Sequence, residues 1–170
     1  MAKRRVSQVD KWKKKKWFDI VATKIFDEKV VGDTPAEKPE QLINRVASIS
    51  VYELTGDVKR QPAYINFKSV NVQGSRALTE VVGHEVKPSY LGRFVRRNTT
   101  KIFISQDVTT KDGKKARIHS VIIAYGRIPY NAARSIRIET SRLIGEFCSK
   151  KTFEEFVKDA ALGNYADAIF

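Results

Sequence analysis

The sequence predicts an α+β fold: a largely antiparallel, barrel-like sheet of about six strands, one helix inserted before its last hairpin, and helices at the C-terminal end. Three observations predict it. Short β-branched runs separated by turn residues fill residues 17–125. Two alternating arms flank Asp112 and Gly113, residue types suited to a tight hairpin turn. From Asn131 onward the apolar residues switch to helical spacing. A chain of 170 residues, 42% of them hydrophobic, can bury roughly 70% of its unfolded surface. Its expected organisation is a basic head, residues 1–16, and a single domain, residues 17–170.

Element by element, "WFDIVAT" (residues 17–23) alternates as a strand, and "VVGDTPAEKPE" (30–40) reads as a loop in which Thr34, Pro35 and Glu37 open a short helix. "RVASISVY" (45–52) is a strand. "AYINFKSV" (63–70) pairs through Gly74 with "RALTEVV" (76–82). "KPSYLGRFVRRN" (87–98) predicts a helix from Pro88 to about Asn98, with Leu91, Phe94 and Val95 inside and Arg93, Arg96 and Arg97 outside. In the long hairpin, Ile102, Ile104 and Val108 answer Ile118, Ile122 and Ala124, with Asp112 and Gly113 as the two-residue turn. Asn131 caps a helix striped by Ala132, Ala133, Ile136, Leu143, Ile144 and Phe147, while Arg134, Arg137 and Arg142 project away. Gly145 weakens that helix. Thr152 and Glu155 form a capping box for a last helix, whose Phe153, Phe156, Val157, Ala160 and Ala161 pack inward.

A net charge of +13 and a pI near 9.9 demand an anionic partner. No run approaches the roughly 18 to 20 apolar residues that span a bilayer, so no membrane is expected. Residues 1–16 lack the apolar stretch of a signal peptide, and the chain reads as intracellular. One cysteine, Cys148, with two histidines, His84 and His119, excludes an internal disulfide framework and a Cys-rich zinc site. Phosphate-loop, dinucleotide, nucleophile-elbow and zincin motifs are missing, so neither catalytic residue, metal nor cofactor is expected. The alternative is a free RNA-processing enzyme, nuclease-like, drawing Asp107, Asp112 and His119 from the hairpin. A third reading is an adaptor for acidic proteins.

The charge is unevenly placed. Residues 1–16 hold eight Lys or Arg against one acid and residues 87–142 hold thirteen against three, whereas the stretches 17–86 and 143–170 are each slightly acidic. That unevenness suggests a binding face. In "KWKKKKW" (11–17), lysines can release counterions from phosphates and an indole can stack on an unpaired base. Trp17, followed by Phe18, Ile20 and Val21, is assigned to the core as the anchor of this arm; Trp12 takes the external role. The head therefore supplies Lys3, Arg4, Arg5, Lys11, Trp12, Lys13, Lys14, Lys15 and Lys16 as candidate RNA contacts. The inserted helix supplies Arg93, Arg96 and Arg97, where no acid separates like charges. The hairpin tip projects Lys111, Lys114, Lys115 and Arg117, and the C-terminal helix adds Arg134 and Arg137. Separate basic features of this kind suit a large folded RNA.

Four segments carry a resemblance to a known family: the basic head leading into "KKWFDI", then "GDTPAEKPEQLINRVASISVYELTGD", then "GHEVKPSYLGRFVRRNTTKIFISQDVTTKDGKKARI", and the run from "RIETSRLIGEF" to "LGNYADAIF". In order and spacing they resemble the S-three-Ae, or eukaryotic-type S-one, family of archaeal and eukaryotic small-subunit ribosomal proteins, in its compact archaeal form. The resemblance implies a non-enzymatic constituent of the small ribosomal subunit, cytoplasmic, on the platform near the mRNA exit. Its implied partners are the 3′ region of the small-subunit rRNA and neighbouring platform proteins, with mRNA open as a further one. It also implies a barrel-like α+β core, and further helix and a basic tail past the segment ending at Phe170, so the chain reads as a truncated form.

Overall fold

The computed structural model describes residue 12 and residues 14–165. The chain divides into two compact units, Met1–Glu85 and Val86–Phe170.

The first unit is built on β1 (Lys16–Val21), β2 (Val30–Ala36), β3 (Val46–Ser50), a short helix α1 (Val51–Thr55), β4 (Ala63–Gln73) and β5 (Arg76–Val86). Its strands form one five-stranded sheet in the order β2-β1-β5-β4-β3. β4 turns into β5 over Gly74, whose φ of +62° suits a residue without a Cβ. β1 pairs antiparallel with β2 but parallel with β5, Ile20 lying opposite Ala77. Thr79 extends that seam by donating its hydroxyl to the Val21 carbonyl at 2.8 Å. Phe18, Ala36, Leu42 and Ala77 make a buried cluster, and Phe67, fully buried, meets Phe26 edge-on at 6.0 Å.

Residues 30–36 correct an expectation: they form a strand, and the turn that follows is a 3-10 turn at Pro39–Leu42 rather than a helix opened by Thr34. Gly32, Asp33 and Pro35 disguise the strand. At a sheet edge proline costs no ladder hydrogen bond when its nitrogen faces outward, and antiparallel pairing with β1 supplies the order that propensity lacks.

The second unit contains α2 (Pro88–Gly92), β6 (Thr99–Thr109), β7 (Lys115–Tyr125), α3 (Tyr130–Lys150) and α4 (Phe153–Leu162). β6 and β7 form a two-stranded antiparallel sheet. One of its faces is covered by α3: Ile102 and Ile104 pack with Ala133, and Val108 with Ile144 and Cys148. Gln106 pins the two layers, its amide nitrogen donating to the Ser141 carbonyl at 3.2 Å while its oxygen accepts the Ser141 hydroxyl. The described residues thus hold seven strands in two sheets, and neither sheet closes into a barrel, because β2 and β3 remain edges of one and the other is a lone hairpin.

Two local differences have simple causes. α2 ends at Gly92 rather than near Asn98, since Gly92 disfavours continuation and three arginines follow with no acid to pair them. Pro129, not Asn131, occupies the N-cap of α3, its fixed φ of −62° leading straight into the helix. α3 runs for 21 residues against the hairpin, with Gly145 inside it. The capping box of α4 is present as read: the Glu155 amide donates to the Thr152 hydroxyl and the Thr152 amide to the Glu155 carboxylate.

Tyr165 closes the second core. Its ring meets Phe147 and Phe156 edge-on at 5.3 and 5.9 Å. Its oxygen is buried and makes no hydrogen bond of good geometry; Ser120 is near enough only to temper its titration, and burial pushes the phenol up to about 12. A raised folded value means that the stabilisation is complete below the unfolded value near 10 and is lost as pH climbs through about 12. Ultraviolet titration should therefore resolve one late tyrosinate that is missing in Tyr165→Phe. Titration of every tyrosine together near 10 would show the ring to be solvated.

Candidate nucleic-acid interface

Of the basic head, Lys3, Arg4, Arg5, Lys11 and Lys13 lie outside the described residues. Trp12, Lys14, Lys15 and Lys16 are described and exposed. The Lys15 amide donates to the Trp12 carbonyl at 3.1 Å, and the Lys15 ammonium sits 4.4 Å from the centre of the Trp12 ring. Trp12 and Trp17 meet edge-on at 6.5 Å. Trp17 does not enter the core as expected, being 61% exposed. The pleat of β1 explains this: Phe18 and Ile20 point inward, so the residue before Phe18 must point out. Phe18, not Trp17, anchors the lysine stretch, and both indoles lie on the outer surface.

In the second unit the basic residues collect at the two ends of the hairpin. At the tip, the Thr110 amide donates to the Lys114 carbonyl and the Gly113 amide to the Thr110 carbonyl, giving a three-residue loop with Gly113 at a φ of +75° instead of the expected two-residue turn. The tip does not project freely either. Asp112 accepts the Phe153 amide at 2.8 Å, the Lys111 amide donates to the Lys151 carbonyl at 3.1 Å, and the Lys114 ammonium lies 4.6 Å from the Phe153 ring centre. Lys111 and Lys115 remain exposed beside this docked loop. Arg117 forms two hydrogen bonds to Asp107, at 2.6 and 3.0 Å, and these hold the Asp107 carboxyl below the usual carboxylate range. Its charge is already answered within the hairpin.

The open end is different in kind. After Gly92 the chain continues in turns, the Arg93 amide donating to Tyr90 and the Phe94 amide to Leu91. Asn98 takes a φ of +65° to enter β6. Arg96 donates from its side chain to the Arg93 carbonyl, and the Arg96 amide donates to Thr99. Phe94 and Val95, expected inside, are exposed, because a chain that stops being helical at Gly92 no longer carries them to the inner face.

This loop is tied to the connection between β7 and α3. The Gly126 amide donates to the Asn98 carbonyl at 2.8 Å, Thr100 donates its hydroxyl to the Gly126 carbonyl at 2.8 Å, and the Ile128 amide donates back to that hydroxyl at 3.1 Å. Tyr125, Arg127 and Tyr130 thereby join the end that carries Arg93, Arg96 and Arg97. Tyr125 is 92% exposed and Tyr130 73%. Sequence reasoning missed these three. The available signal was the absence of any acid from residue 113 to residue 138 and from 86 to 106.

Arg134 and Arg137 follow on the exposed side of α3, and with Arg97 and Arg127 they have no carboxylate partner among the described residues. Arg142, one turn further, is bridged by Glu139 and Glu146, each at 2.5 Å. The free positive charge thus ends where the acids of α3 begin. Such a surface can neutralise phosphates and present aromatic faces to bases.

The residues of the nuclease alternative are otherwise engaged: Asp107 by Arg117, Asp112 by the Phe153 amide, and His119 by stacking on Phe103 at 5.7 Å. Among the described residues no three His, Cys, Asp or Glu side chains group so as to hold a metal ion. No helix there is long and apolar enough to cross a membrane.

The chain is similar to known proteins over most of its length. The model of the "Ribosomal S3Ae family" matches residues 3–170. "Small ribosomal subunit protein eS1" of Sulfurisphaera tokodaii is 40% identical over 165 residues, covering 95% of this chain and 83% of that protein. The protein of the same name from Methanothermobacter thermautotrophicus is 36% identical over 171 residues, covering 100% of this chain and 88% of its own. That of Saccharolobus islandicus is 36% identical over 161 residues, covering 95% and 77%.

Proposed function

Because the chain belongs to the ribosomal S3Ae family, we propose that it is a structural constituent of the small ribosomal subunit that binds rRNA on the platform near the mRNA exit. It works there by holding phosphates, not by catalysis, and its place is in the cytoplasmic ribosome. The observation that carries the RNA-binding part is the basic surface at the open end of the hairpin, drawn from two stretches of sequence without an acid, where Arg97, Arg127, Arg134 and Arg137 stand without carboxylate partners among the described residues. The lysines of residues 11–16 form a second, separate basic feature. Two such features on one chain suit a folded RNA that touches it more than once. The 3′ region of the small-subunit rRNA and the neighbouring platform proteins are the partners of this reading, and residues 1–16 are its RNA-binding head.

The test is the salt dependence of binding to a small-subunit rRNA 3′ fragment, against an unrelated structured RNA, for the full chain and for one lacking residues 1–16. Neutralising about six to ten phosphates gives a log–log slope of roughly −4 to −9. The shortened chain should give a shallower slope, and the 3′ fragment should bind more tightly. A flat slope would remove rRNA from the reading, and equal binding to both RNAs would remove the 3′ platform.

A further inference from the structure

The open end of the hairpin does more than attract phosphates. We propose that Tyr125, Tyr130 and Phe94 form a stacking platform for unpaired nucleotides, so that this end recognises single-stranded RNA and not a continuous duplex; the proposal rests on the RNA-binding reading above and makes it more specific. The three aromatics are 92, 73 and 43% exposed; Tyr125 ends β7 and Tyr130 opens α3, and the connection between them is held to the loop that follows Phe94 by the Asn98–Gly126 and Thr100–Gly126 hydrogen bonds. Thr99 and Tyr125 are paired across the hairpin, so the arginine loop leads directly into the strand partner of the most exposed ring.

Phosphate binding alone has no need of three exposed rings. A paired helix hides the faces of its bases within the stack, whereas unpaired bases offer them to Tyr and Phe. Burial would hide the two tyrosines if they served the fold, yet the hairpin core cluster of Ile102, Ile104 and Ala133 with Ile122, Ile128 and Ile136 does not include them; Phe94 meets Tyr90 edge-on at 5.1 Å and keeps the rest of its ring exposed. Charge selects the occupant. The surrounding stretches, residues 86–106 and 113–138, contain no acid, and Arg93, Arg96, Arg97 and Arg127 are all exposed there. A protein partner would have to bring a matching field of carboxylates; an RNA single strand brings both phosphates and ring faces. Arg93 already lies 6.0 Å from the ring centre of Tyr90, which shows a guanidinium and an aromatic sharing this surface.

The experiment uses the full chain with two probes carrying equal numbers of phosphates, an oligouridine single strand and a fully paired RNA duplex. Binding is compared for the wild type and the double variant Tyr125→Leu with Tyr130→Leu; unchanged circular dichroism confirms the fold, as both side chains are exposed. Loss of stacking should weaken single-strand binding about tenfold or more and duplex binding less than about twofold, with the salt slope on both unchanged. Equal loss on both probes, or no loss on either, overturns the platform. A wild-type chain that binds neither probe nor rRNA overturns the RNA-binding reading itself, an outcome distinct from indifference to the tyrosines.

Discussion

Ile144→Ala is expected to destabilise the second unit by about 2 to 5 kcal/mol. Ile144 is fully buried in the C-terminal half of α3, packed with Val108 and Cys148 and bordered by Ala116, Ile118, Phe147, Phe156 and Tyr165. Truncation removes the transferred methyl groups and leaves a cavity between a helix and a two-stranded sheet. Among the described residues that hairpin has no further strand to lean on, and a lone hairpin is marginal in water, so α3 supplies the support that neighbouring strands would. Urea unfolding followed by circular dichroism reads the effect, and Ile144→Val should cost only about 0.5 to 1.5 kcal/mol on the same axis. A loss below about 1 kcal/mol for alanine would mean that α3 does not hold the hairpin.

The second large effect concerns affinity. Replacing Arg93, Arg96 and Arg97 together by alanine should weaken binding to structured and unstructured RNA alike, on the order of a hundredfold, and should make the salt slope shallower by about 2 to 3. All three side chains are exposed, so the fold should be retained. Arg117→Ala is the contrasting variant: the guanidinium is already bonded twice to Asp107, and its removal exchanges an ion pair for a free carboxylate with little change in slope. An unchanged slope in the triple variant would detach the arginine loop from the RNA surface. This pattern, loss on every RNA with a changed slope, differs from the loss expected for the tyrosine variant.

Elements whose own residues carry the pattern were legible. The 101–125 hairpin alternates strongly enough to declare both arms, and Thr152 with Glu155 announces the last helix two turns before its apolar stripe is complete. What failed was written in partners rather than in the segment. β2 has loop composition and becomes a strand only beside β1; β1 lies parallel to β5 across more than fifty intervening residues, which no local pattern encodes. Trp17 was misplaced because apolar neighbours in sequence are not neighbours on one face of a strand. The site was half legible for a similar reason. Runs of lysine and arginine are visible in one dimension, but Tyr125, Arg127 and Tyr130 join the arginine loop only through hydrogen bonds across the hairpin.

The open sheet of the first unit has a consequence for the chain before it meets any partner. An unpaired edge strand offers amides and carbonyls to a second copy, the first step of cross-β stacking. Both edges here carry exposed valines, Val30 on β2 and Val46 on β3, which would favour such recruitment. Each is blunted. β3 is only five residues long and passes directly into α1, while β2 carries Pro35, an exposed Asp33 and a register shift opposite Ile20 and Val21. The residues that make β2 look like a loop are thus the ones that keep its edge from templating a fibril.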